Sequence, residues 1–104
     1  MKFYKFSRCY EYYALIGVSD KEEFPMEVAI EAYAEEIEGG IEEYKENYTD
    51  DDYPEEISEK EAFKEYMYSR IEDCDTLEEK EKSFVKNISR DEKYVLLLID
   101  GSLI

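Results

Sequence analysis

Between Ser19 and Glu56 the chain carries sixteen acidic residues against two lysines, Lys21 and Lys45, a net charge of −14. A block of this kind belongs at a folded surface. The apolar segments able to form a sheet lie outside it, at the two ends of the chain. The flanks are nearly balanced, at +2 over Met1–Val18 and −4 over Ile57–Ile104, so almost all of the total charge of −16 sits in one place.

Phe3 to Val18 reads as extended chain. Even positions carry Tyr4, Phe6, Tyr10, Tyr12, Ala14, Ile16 and Val18, while odd positions carry Lys5, Ser7, Cys9 and Glu11. That period of two, rich in aromatics, predicts a strand with one buried face. Its length predicts a bulge or bend near Ser7–Cys9, and the absence of Gly, Pro or Asn argues against a tight hairpin. At the other end Tyr94–Ile99 is an uninterrupted apolar run, which predicts a central, well-buried strand. Asp100-Gly101 reads as a turn before a short extra strand at Ser102–Ile104.

Three capping boxes mark helix starts: Ser19-Asp-Lys-Glu22, Ser58-Glu-Lys-Glu61 and Thr76-Leu-Glu-Glu79. Pro25 shifts the main helix start to Phe24 or Pro25. Its core stripe is then Met26, Ala29, Ile30, Tyr33 and Ile37, its outer face Glu27, Glu31, Glu35 and Glu38, and Gly39-Gly40 ends it. Ile41–Tyr48 adds a turn or two of helix, with Ile41, Tyr44 and Tyr48 on one side. Asn47–Glu56 reads as an acidic loop. The second box opens a helix with Ala62, Phe63, Tyr66, Met67, Arg70 and Ile71 along one face. The third opens one carrying Leu77, Phe84, Val85 and Ile88. The expectation is a single α+β domain over 1–104. N- and C-terminal strands pair antiparallel in a small sheet, and about three helices pack on one of its faces.

At 43% apolar and 15% aromatic residues the chain has enough for a small core. Its eleven tyrosines suit the border of such a core and also a binding face. Histidine is absent, which removes Ser-His-Asp and Cys-His catalysis and the usual zinc sites. No phosphate-binding glycine loop occurs, and Cys9 and Cys74 read as free thiols of a reducing cytosol. No signal peptide or bilayer-spanning run is present. Asp50, Asp51 and Asp52 with Glu55 and Glu56 offer the hard oxygens that Ca²⁺ or Mg²⁺ prefers, but lack the EF-hand glycine and its terminal bidentate Glu. The segment reads as a solvated loop. No catalytic residue, metal or cofactor is expected.

The acidic block itself points to a partner. Glu27, Glu31, Glu35 and Glu38 recur every three or four residues, about 5–6 Å apart along one helix face at 1.5 Å per residue. Duplex DNA spaces its phosphates about 3.4 Å apart per strand, a comparable density. Glu42, Glu43, Glu46 and Asp50–Asp52 form a second row, with Tyr33, Tyr44, Tyr48 and Tyr53 as nearby anchors. Such a surface repels nucleic acid and anionic membrane and attracts basic grooves. Like charges at i,i+4 destabilise a helix, so a block that tolerates them is expected to serve a partner.

In size, charge and lack of catalytic machinery the chain resembles phage-encoded inhibitors of bacterial defence, the anti-CRISPR and anti-restriction proteins, several of which imitate DNA. The resemblance covers overall composition and the Ser19–Glu56 block. It implies a non-enzymatic, cytoplasmic protein of the bacterial host cell. That protein binds a basic nucleic-acid-handling protein, a CRISPR effector or other defence nuclease, and blocks its nucleic-acid site. The alternative is an acidic immunity protein or antitoxin that neutralises a basic nuclease toxin.

Overall fold

The computed structural model describes residues 1–7, 10, 12–49, 51–69 and 75–99. They form one antiparallel sheet with helices on both faces. In chain order the elements are β1 (Lys2–Phe6), β2 (Ala14–Val18), α1 (Pro25–Tyr33), a π-helical turn (Ala34–Glu38), α2 (Ile41–Asn47), β3 (Glu55–Ile57), α3 (Glu59–Tyr68), α4 (Leu77–Ile88) and β4 (Tyr94–Ile99). The strand order is β3-β1-β2-β4. The α+β class and the antiparallel pairing of N- and C-terminal strands are as the sequence predicts.

Three features of the sheet differ from expectation. The N-terminal segment is two strands, paired from Lys2↔Val18 to Phe6↔Ala14, rather than one bent strand. The connection spans several residues, so no tight-turn glycine is required. The run Tyr94–Ile99 is a strand, but among the described residues it lies at the sheet edge and pairs only with β2. Its register jumps at Leu97, which lies between the pairs Ile16↔Leu96 and Leu15↔Leu98. This bulge turns both Leu97 and Leu98 inward. Finally, the helices cover two faces. Tyr4, Phe6, Ala14, Ile16 and Val18 pack against α1 and α2. Phe3, Leu15, Val95 and Leu97 pack against α3 and α4.

The helix starts follow local chemistry. Ser58 Oγ accepts from the Glu61 amide and Thr76 Oγ1 from the Glu79 amide, both at 3.1 Å. The Ser19 box makes no helix, because Phe24 precedes Pro25 and takes φ −123°, ψ 72°, as a residue before proline must. Helix α1 therefore starts at Pro25. On α4 only part of the expected stripe is buried. Phe84 is core, but Leu77 and Val85 are 64% and 52% exposed. The Cys9 and Cys74 thiols, Arg70 and Ile71, and the Asp100-Gly101 turn with its following strand lie outside the described residues.

Candidate acidic interface

Helix α1 and α2 are joined by Gly39-Gly40, with φ 85° and 134°. The chain reverses there, and α2 returns beside the end of α1. The intervening turn is π-helical, and the amides of Gly39 and Gly40 both donate to the Ala34 carbonyl. This wider i→i+5 turn uses more residues per revolution than an α-helix. Glu38, expected on the outer face with Glu27, Glu31 and Glu35, consequently faces inward.

Glu38 is buried and accepts from the Tyr48 hydroxyl at 2.9 Å and from Asn47 Nδ2 at 3.4 Å. Its carboxylate ties the end of α2 to the end of the π turn. Tyr48 and Tyr44 are buried as well, so neither is an accessible anchor. They join Tyr10, Tyr33 and Phe6 in a ring cluster. Phe6 stacks on Tyr33 at 4.5 Å, and Tyr10 lies 4.8 Å from Tyr48. The Tyr10 and Tyr44 hydroxyls bond each other at 2.7 Å, and the Tyr33 hydroxyl donates to the Tyr12 carbonyl at 2.9 Å. Burial first, then the bond with Tyr48, pushes the Tyr33 phenol well above its ordinary pKa.

The remaining predicted residues divide by direction. Ile41, Tyr44, Lys45 and Tyr48 occupy one face of α2 and its C-cap, at i, i+3, i+4 and i+7. Glu42, Glu43 and Glu46 are exposed on the opposite face. The carboxylate of Glu43 folds back over Gly39. Glu27, Glu31 and Glu35 are exposed on α1 and its continuation. Asp51 is exposed, and Asp52 turns back to accept from the Thr49 amide at 2.9 Å. Asp50 lies outside the described residues. The acids thus form two ridges facing different ways, rather than one plane.

Ion pairing reaches some acids of the molecule and not these. Among the described residues Glu22, Glu56, Glu65, Glu78, Asp91 and Glu92 each pair with a lysine or arginine. No such ion pair involves Glu27, Glu31, Glu35, Glu42, Glu43 or Glu46. No group of three or more Cys, Asp or Glu side chains converges as a metal site among the described residues.

Sequence reasoning missed a concavity. Between α1, α2 and the residues Thr49, Asp52 and Tyr53 lies a groove of about 490 Å³, lined by Met26, Ile30, Ile41 and Tyr53 with Glu27 and Glu31 beside them. Tyr53 is 63% exposed and Ile41 38%. A second concavity of about 540 Å³ lies across Tyr53, among Lys5, Asp51, Glu55 and Glu56. The signal in the sequence was the pair of large apolar residues, Ile41 and Tyr53, set within the acidic block.

No helix among the described residues is long and apolar enough to cross a membrane. No curated protein and no solved structure matches this chain. Residues 1–97 match the family model of the YosH C-terminal domain, a span that takes in both helical layers and the sheet between them, and the chain belongs to that family.

Proposed function

We propose that this protein is a stoichiometric acidic inhibitor, without enzymatic activity of its own, acting in the cytoplasm of a bacterial cell. It binds a basic nucleic-acid-handling protein, a CRISPR effector or other defence nuclease, and occludes its nucleic-acid site. The observation that carries this reading is the density of exposed carboxylates on α1 and α2, none of which pairs with a cation among the described residues. Six such carboxylates, Glu27, Glu31, Glu35, Glu42, Glu43 and Glu46, stand exposed on α1 with its continuation and on α2. Docking them in a basic groove releases the counterions that groove otherwise holds, the same contribution a phosphate backbone makes. Long-range attraction should also speed association at low salt and lose force as the Debye length falls to about 8 Å at 0.15 M.

The test reverses Glu27, Glu31 and Glu35 to Lys and captures partners from bacterial lysate for identification by mass spectrometry. The reversal should weaken capture of a basic nucleic-acid-binding protein while thermal stability stays near or above the parent, because like-charge repulsion is relieved. Excess DNA or guide RNA should displace the parent protein from that partner. Unchanged capture after reversal would reduce the block to a solubility feature. If reversal matters but nucleic acid binds alongside, an immunity-type inhibitor bound outside the nucleic-acid site replaces this reading.

A further inference from the structure

A surface that imitated phosphates alone would need carboxylates and nothing apolar. The groove between α1 and α2 departs from that requirement. Met26 and Ile30 are half-buried in it, Ile41 is 38% exposed, and Tyr53 stands at its border with most of its surface in solvent. Large apolar side chains gathered in a concavity on so acidic a protein mark a contact surface. The volume, about 490 Å³, is on the scale that receives large side chains or a drug-sized ligand rather than a single ion.

The walls are unlike one another. Glu27 and Glu31 stand on the α1 wall and Asp52 on the loop wall, while Lys45 stands on the α2 wall. A cation entering the groove is drawn to α1 and the loop and kept from α2. An anionic occupant would meet three carboxylates, and a purely apolar one would desolvate Glu27 and Glu31 without offering them a cation. The complementary occupant is cationic and also carries apolar side chains. The Tyr53 ring adds a face for a cation from the same segment.

We infer that this groove receives a lysine- or arginine-rich segment of the partner protein through one or two large apolar side chains at the middle of that segment. Those side chains rest on Met26, Ile30 and Ile41, and the flanking cations face Glu27, Glu31 and Asp52. The inference rests on the inhibitor reading and deepens it, since recognition then depends on apolar insertion as well as on charge.

The probes are two fluorescein-labelled peptides of equal charge, ten lysines alone and ten lysines with a central Leu-Trp pair. Both are titrated with the full chain by fluorescence anisotropy at about 0.15 M salt. The Leu-Trp peptide should bind at least about tenfold more tightly. Ile41→Ser, at an exposed position, should remove most of that preference and leave decalysine binding unchanged, with circular dichroism confirming the fold. Glu27→Gln with Glu31→Gln should weaken both peptides. Equal affinity for the two peptides would overturn the groove, as would a preference that survives both Ile41→Ser and Tyr53→Ser, or failure of both peptides to bind. These outcomes separate from failure of the inhibitor reading. Charge-dependent binding without preference removes the groove alone, whereas unchanged lysate capture after the triple reversal removes the inhibitor reading and leaves the peptide preference standing.

Discussion

The two faces of the sheet are built from different chemistry. Under α3 and α4 the core is mainly phenylalanine and aliphatic, with one buried tyrosine, Tyr66, whose hydroxyl bonds Ser83 at 2.7 Å: Phe84 lies 5.3 Å from both Phe63 and Tyr66 and 6.2 Å from Phe3. Under α1 and α2 it is built around Tyr4, Tyr10, Tyr33, Tyr44 and Tyr48, with hydroxyls bonded to one another, to a backbone carbonyl and to Glu38. An apolar core holds its residues by volume alone and tolerates exchange among shapes that fill it. A core of hydroxyls is directional, because each buried group requires its partner. The directional side is the one that carries the groove and the acidic ridges of α1 and α2. The difference separates a face that supplies stability from one that fixes where the proposed binding surface stands.

The sharpest way to break this comparison is Phe84→Ala. Loss of a buried ring should cost about 3–5 kcal/mol, a large part of a small domain's stability. Thermal unfolding should show that cost, yet partner or peptide affinity measured below the lowered midpoint should hold. If affinity falls with stability, the faces are not separable.

Glu38→Ala tests the other side. It removes the carboxylate that accepts from the buried Tyr48 hydroxyl, which should cost about 1–3 kcal/mol. It should also weaken peptide binding beyond what the stability loss explains, since α2 is no longer tied to the π turn. Glu38→Gln keeps an acceptor and should restore most of both. A Gln variant as impaired as the Ala variant would show that charge, not hydrogen bonding, holds the end of α2.

The smallest effect at neutral pH and the most selective one comes from tyrosine ionisation. Burial, reinforced by Glu65, raises the Tyr13 phenol, and burial with the Tyr48 bond raises Tyr33. Burial also raises Tyr4, with Glu56 adding to it, and Tyr94, with Glu36 adding to it. The folded state therefore holds phenolic protons that the unfolded chain releases near pH 10. Stability from this source is complete below about pH 10 and is lost as pH rises beyond it. The melting temperature should fall from pH 10 to pH 12, with tyrosinate absorbance rising as the protein unfolds. Tyr33→Phe should flatten that fall while changing stability at pH 7 by only about 1 kcal/mol.

Much of the architecture was legible where the determining chemistry is local. Ser58, Thr76, Pro25 and Gly39-Gly40 set helix ends through groups a few residues away. The two-sided sheet was harder to see. The alternation from Tyr4 to Val18 identifies one apolar face, but Phe3 and Leu15 break it and supply the second. Lys5 made that second face look solvated. In the fold its ammonium is neutralised by Glu65 at 2.7 Å, a partner sixty residues on that no periodicity reveals. For the site, Glu27, Glu31 and Glu35 lie outside as their spacing predicts. Glu38, Tyr44 and Tyr48 do not serve as expected, because the π turn changes the helical phase after Ala34 and α2 folds back. A groove made where two helices meet has no signature in either helix alone.

Gly40 places a further condition on that groove. A methyl group added there would meet no atom within 4 Å, so space does not forbid a side chain; the φ of 134° does. That conformation is strained for an L-residue and is the mirror image of an ordinary extended one. The backbone of Gly40 is one that D-alanine prefers and L-alanine avoids. At this corner the return of α2 toward α1 depends on handedness, and the genetic code has only an achiral residue with which to meet the requirement.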